Sequence, residues 1–115
     1  MLNQVILVGR LTDDPTITKN EDGKGTSKIV LAVQRCMKNA DGEYDTDFIT
    51  CALWNGVATS VTNYCKKGDV VGVKGRLQMA KIEKEDGTFI NTIEVIAEKV
   101  TFLSSRKPED KPEED

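Results

Sequence analysis

The chain contains no histidine. That removes the side chain most used as a base near neutral pH, and the commonest metal ligand. Cysteine is sparse. Cys36, Cys51 and Cys65 stand alone, 15 and then 14 positions apart. Zinc sites favour ligands in close pairs, and none occurs, so neither metal nor cofactor is expected. The odd count fits reduced thiols in a cytoplasmic protein. A catalytic cysteine would need a base that histidine does not supply. No other nucleophile–base pair stands out, so an enzyme is not expected. No apolar run approaches the ~20 residues that span a bilayer. The start, MLNQVILVGR, has neither the charged n-region nor the small-residue cleavage site of a secretory signal. Positive charge is not in excess either: 16 Lys and Arg stand against 19 Asp and Glu, a net of -3. A uniformly basic nucleic-acid coat is excluded, and an anionic ligand has to be met by a local patch.

What is present fits one domain. The chain has 115 residues, of which 38% are apolar and 30% charged. Nine glycines against three prolines favour a turn-rich β protein. Composition changes at Ser104. From there the sequence SSRKPEDKPEED has no apolar residue, two of the prolines, three basic and five acidic groups. Such a segment cannot bury enough surface to offset its ordering entropy, so residues 104–115 are expected to form a short disordered acidic tail. The folded domain is expected over residues 1–103. No internal repeat is visible.

Side-chain alternation of period two marks five strands. Val5, Leu7, Gly9 and Leu11 alternate with Gln4, Ile6, Val8 and Arg10. Ile29, Leu31 and Val33 alternate with Lys28, Val30, Ala32 and Gln34. Phe48 to Trp54 is a dense β-forming run. Val71, Val73, Gly75 and Leu77 alternate with Gly72, Lys74, Arg76 and Gln78. Ile93, Val95 and Ala97 close the series. Asp22-Gly23, Asp41-Gly42 and Asp86-Gly87 fall between strand candidates, where hairpin turns require positive φ. They predict hairpins joining strands 1–2, 2–3 and 4–5. Between strands 3 and 4, Val57, Ala58, Val61, Tyr64 and Cys65 form one face of a helix. Lys66 and Lys67 suit its negative end and Gly68 its stop. Five strands with a helix between the third and fourth is the order of an OB-fold, a small Greek-key barrel whose outer face often holds oligonucleotides or oligosaccharides. An SH3-like barrel competes, but it rarely carries a helix at this point.

On the third strand Ile49, Cys51 and Leu53 share one parity, and Phe48, Thr50, Ala52 and Trp54 the other. If the first set faces the core, two aromatics ~20 Å apart lie on the outer face. Flat bases could stack there. Burial of the strand on both sides, or a subunit interface, would also account for the pattern. The basic residues favour the platform. Arg76 has the outward parity of the fourth strand, Ile82 shares it if no bulge intervenes, and Lys81 lies on the arm beyond. Arg10 is outward on the first strand, and Arg35 and Lys38 flank the second hairpin. Phosphates could be neutralised where bases stack. Strand 1 is apolar on both faces from Val5 to Val8, an edge that invites a second subunit.

The opening N-x-V-I-L-V-G-x-L at Asn3–Leu11 with Asp14-Pro15 resembles the bacterial single-stranded DNA-binding protein (SSB) family, in its Gram-positive or phage form. Leu31-Ala32, Asp47-Phe48, Tyr64-Cys65-Lys66-Lys67-Gly68, V-x-G-R-L-Q at Val73–Gln78 and T-x-E-V at Thr92–Val95 continue the likeness over residues 1–103. The resemblance implies an OB-fold homotetramer that binds single-stranded DNA without sequence preference in replication, recombination and repair. Its four stacking positions fall on Met37, Phe48, Trp54 and Ile82. Two are aromatic here, where the other two usually are as well. It places Lys66, Lys67 and Lys81 among the basic contacts. Parity would put Met37 on the core side unless a bulge intervenes. The family's acidic tip docks on replication and repair proteins and ends in phenylalanine. This sequence stops at Glu113-Glu114-Asp115, so tail docking is not carried over. Some relatives act mainly as protein adaptors in replication restart, which is the alternative reading.

Overall fold

The computed structural model describes residues 1–19 and 23–103. In chain order it forms β1 (Val5–Leu11), β2 (Thr18–Lys19), β3 (Gly25–Lys38), β4 (Tyr44–Trp54), α1 (Asn55–Tyr64), β5 (Val70–Glu83) and β6 (Phe89–Phe102). The expected tail and the Asp22 half of the first Asp-Gly pair lie outside the described residues. Among the described residues, no helix is long and apolar enough to cross a membrane.

The strands run in the order β1-β5-β6-β4-β3-β2, and β1 also pairs with β3, which closes the five long strands into a barrel. β1 lies antiparallel to β5 from Val5↔Gly75 to Arg10↔Val70, and meets β3 at Arg10↔Ala32 and Leu11↔Leu31. The barrel shuts on the other side where β4 runs parallel to β6 at Cys51↔Val95 and Ala52↔Ile96. This is the expected OB-fold, with the helix after the third long strand. One small element escaped the sequence reading. The first Asp-Gly region joins β3 to the two-residue β2, paired Thr18↔Thr26 and Lys19↔Gly25, rather than to β1. Two residues are too short for a periodic signal.

The core is the inner-parity set. Leu11, Ile29, Leu31, Cys51, Leu53, Val71, Val73, Val95 and Ala97 are buried together with Ala58, Val61 and Cys65 from the helix segment. Gly75 is needed where β5 meets a register shift: a Cβ there would sit 2.0 Å from the Ile96 carbonyl oxygen. Gly42 and Gly87 take φ of 80° and 87° in the two long hairpins, the left-handed conformation that their Asp-Gly pairs predict.

Beyond the barrel, alternation no longer means burial. Leu77, Met79 and Ile93 have inner parity but are 44%, 61% and 57% exposed, because the β5–β6 arm has left the core. The helix also differs from expectation at its end. It stops at Tyr64, with the Cys65 amide donating to the Val61 carbonyl. Tyr64 is 72% exposed rather than in the core, and its ring lies against Phe102 at 6.0 Å. Lys66, Lys67 and Gly68 lie past the helix, in the turn to β5. Gly68 has φ 93° there, and its amide donates to the Leu11 carbonyl, which extends the β1 ladder.

Candidate nucleic-acid interface

β4 places the aromatics. Cys51 and Leu53 are fully buried, which turns Phe48, Thr50, Ala52 and Trp54 outward. Phe48 is 67% exposed and Trp54 51%. Trp54 is held at an abrupt switch. It is extended, at φ -129°, and the next residue, Asn55, starts the helix at φ 52°. Asparagine is among the few non-glycine residues that enter this region readily. The ring is therefore carried on the last residue of a barrel strand, with a rigid wall behind it.

Cross-strand partners share a face, and two rows result. Trp54 lies beside Thr26 and then Thr18. Phe48 lies beside Ala32 and then Arg10. The row of Phe48 thus ends in an exposed guanidinium. Nη1 of Arg10 donates to the Gly68 carbonyl at 2.8 Å, which sets Arg10 next to the turn that carries Lys66 and Lys67. That turn is itself anchored: the Lys66 amide donates to Asp69 and the Lys67 amide to Asp14, at 2.9 and 2.7 Å. Both lysine side chains are exposed.

The remaining candidates are spread more widely. Ile82 keeps the parity of Arg76 and Gln78, since the β5–β6 register is unbroken from Gly75 to Glu83, and it pairs with Ile90 on the arm. Lys81 therefore points from the opposite face of that arm. Arg76 donates to the Gln78 side chain at 2.7 Å and lies 3.9 Å from Glu98. Met37 is 78% exposed. The register shifts between Gln34 and Lys38, so Met37 lies within the irregular stretch, on a part of the hairpin where residues of both parities are exposed. Lys38 pairs with Tyr44 and sits 5.8 Å from that ring, a cation–π contact. Arg35 lies on the other face from Phe48. It grips Asp47 with donor–acceptor distances of 2.9–3.3 Å, and Asp45 lies 3.8 Å away. Hydrogen bonding from Arg35 holds Asp47 below the ordinary aspartate pKa. The structure thus brings Arg10, Phe48, Lys66 and Lys67 into one neighbourhood, leaves Trp54 in a second row six residues along β4, sets Met37 and Lys38 on one arm and Ile82 on another, and turns Arg35 away.

Two contributors were missed. Tyr44 has the parity of Phe48 and Trp54 and is 47% exposed, but β4 starts four residues earlier than its dense run suggests. Lys28, outward in the alternation, lies directly beside Ala52 on this face and 3.6 Å from Glu94. Its parity was the available signal. Two of the three thiols are buried, and burial raises Cys51 and Cys65 to about 11, with Asp69 adding to the effect at Cys65; Cys36 is exposed on the β3 arm.

A closed β-barrel with exposed aromatics on one wall and cations around them defines a nucleic-acid-binding OB-fold. Comparison with known proteins narrows this further. Residues 2–103 match the single-strand binding protein family, and the chain belongs to it. It is 43% identical to Single-stranded DNA-binding protein B of Bacillus subtilis (strain 168) over 111 residues, 96% of this chain and 97% of that protein. It is 46% identical to the Single-stranded DNA-binding protein of Bacillus cereus over 106 residues, 92% of this chain. It spans 62% of the length of that second relative. Membership makes this chain a DNA-binding protein and not an enzyme.

Proposed function

We propose that this chain coats single-stranded DNA without marked sequence preference, by stacking bases on Phe48 and Trp54 and neutralising phosphates at Arg10, Lys66 and Lys67. The observation that carries the mechanism is that both rings are exposed on one wall of the barrel, with Arg10 at the end of the Phe48 row. Stacking suits a general binder because every base has a π-face. Met37 and Ile82 add apolar contact, and Lys38, Arg76 and Lys81 lie along the outer reaches of the strand. The protein works in the cytoplasm, at the nucleoid, during replication, recombination and repair.

It does so as a homotetramer. β1 pairs with β3 only at its last two residues, so the edge from Val5 to Val8 is open. Ile6 and Val8 beside that edge are 68% and 55% exposed. An open apolar edge is a template for a second copy. Sedimentation equilibrium is expected to give four chains per particle, and a monomer would refute this part.

Trp54 is the single tryptophan, so its emission reports the site directly. Excess oligo-dT is expected to quench it strongly at low salt, and duplex DNA to do little. The absence of aromatic rings at Met37 and Ile82 favours a second reading, a protein adaptor. Unchanged emission with oligo-dT would establish that reading instead.

A further inference from the structure

The outer wall carries a negative charge in the middle of a surface that is to receive a polyanion. Glu94 of β6 has only 15% of its side chain exposed, and its Oε2 lies 3.6 Å from Nζ of Lys28, which is 69% exposed. Both residues line an open cleft of about 590 Å³ that also takes in Trp54, Ala52, Thr18 and Thr26. That volume is in the range of small-ligand sites. Ala52, 4% exposed, is its floor. A base stacked on Trp54 would share this cleft with the Glu94–Lys28 pair.

A carboxylate only accepts hydrogen bonds, and an ammonium only donates them. Glu94 repels phosphate, so what it can hold is a base edge, and unstacked single strands expose their Watson–Crick edges. Guanine offers N1–H and the N2 amine side by side, with the O6 acceptor next to them. The two oxygens of Glu94 match the two N–H groups, and Lys28 matches O6. Cytosine and adenine each present one amine beside a ring acceptor. Thymine presents N3–H between two carbonyls, which sets an oxygen against the carboxylate whichever way it turns. We propose that this cleft is a base subsite in which Glu94, paired with Lys28, selects guanine over thymine. The proposal rests on the stacking role of Trp54 given above, and adds a modest preference to a binder that otherwise tolerates any sequence.

The test uses the full chain and three strands of equal length: oligo-dT, the same strand with isolated guanines, and the same strand with inosine at those positions. Inosine lacks the N2 amine and keeps the rest of the edge. The guanine strand is expected to bind about fivefold more tightly than oligo-dT, the low end for a paired base contact. The inosine strand should lose most of that gain. Glu94→Gln should bring the guanine-to-thymine ratio close to one and retain oligo-dT binding. Equal affinity of the native chain for all three strands overturns the proposal and leaves stacking intact. So does a guanine preference that survives in Glu94→Gln or is matched by inosine. If that variant does not fold, the inosine comparison on the native chain decides. Failure of every strand to bind at low salt ends the stacking reading and this proposal together.

Discussion

At the end of β4 neighbouring residues live in opposite surroundings: Leu53 is fully buried and Trp54 is half exposed. On the β3–β4 hairpin beyond Gln34 this contrast is gone. Arg35, Cys36, Met37 and Lys38 are all exposed, whichever way they point. The same is true of the β5–β6 arm, where Leu77 and Met79 are as wet as Ile82. The wall has a filled interior on one side, so burial there pins the register. The arms have no core behind them, and only cross-strand pairs, the turn and a few ion pairs hold them. Side chains on the wall are therefore held in place by the core, while those on the arms depend on their cross-strand partners.

If that contrast is right, adjacent substitutions on β4 should separate stability from binding. Leu53→Ala is expected to cost about 2–5 kcal/mol of stability, the range for a large-to-small change in a filled core. Denaturant midpoints with unchanged slopes check this. A loss under about 1 kcal/mol would mean that the wall repacks freely, which such core changes rarely show. Trp54→Ala and Phe48→Ala should each weaken binding to oligo-dT by about 1–3 kcal/mol and leave the unfolding midpoint nearly unchanged. Unfolding of either variant would put that ring in the core.

The two arginines sharpen the contrast between faces. Arg10 shares a row with Phe48, whereas Arg35 faces away and is held by Asp47. Arg10→Ala should reduce the slope of log affinity against log salt by about 0.7, one phosphate's worth on a single strand. Arg35→Ala should leave that slope as it is. Equal changes in both variants would erase the distinction.

The smallest effect concerns pH. Asp47 titrates below the ordinary aspartate value of 3.8 because Arg35 donates hydrogen bonds to its carboxylate. A group whose folded pKa is lowered adds stability above its unfolded pKa, and that contribution fades as acid titrates the folded group. Carbon-detected titration should find Asp47 shifted down in the native chain and restored toward the ordinary value in Arg35→Ala. An unshifted Asp47 in the native chain would show that the pair does not persist in solution.

Much of the fold was legible because the barrel is small. A residue in a five-stranded wall either meets the core or does not, so alternation at Ile29–Val33, Ile49–Leu53 and Val71–Val73 located the interior directly. Parity also grouped Phe48 and Trp54 on one face, and the burial of Cys51 and Leu53 turns that face outward. The helix end misled for a local reason: Tyr64 falls on the apolar spacing, yet the helix is already leaving the barrel there, and Phe102 is the surface its ring finds. Tyr44 was missed because polar Asp45, Thr46 and Asp47 hide the start of β4. Met37 could not be placed from parity, since the shift between Gln34 and Lys38 has no marker in the residues themselves.

Amino-acid order alone determined which side chains are wet on the wall, where the two long hairpins turn, and that no histidine chemistry is available. Period-two burial and left-handed glycine turns are local effects, and local effects can be read along a chain. Tertiary structure alone decided that Arg10 joins Phe48 through Ala32, that Arg35 belongs to Asp47, and that Glu94 lies beside Lys28 in the Trp54 cleft. Those contacts join residues far apart in sequence, and barrel closure, together with the bulge in β3, sets which of them meet.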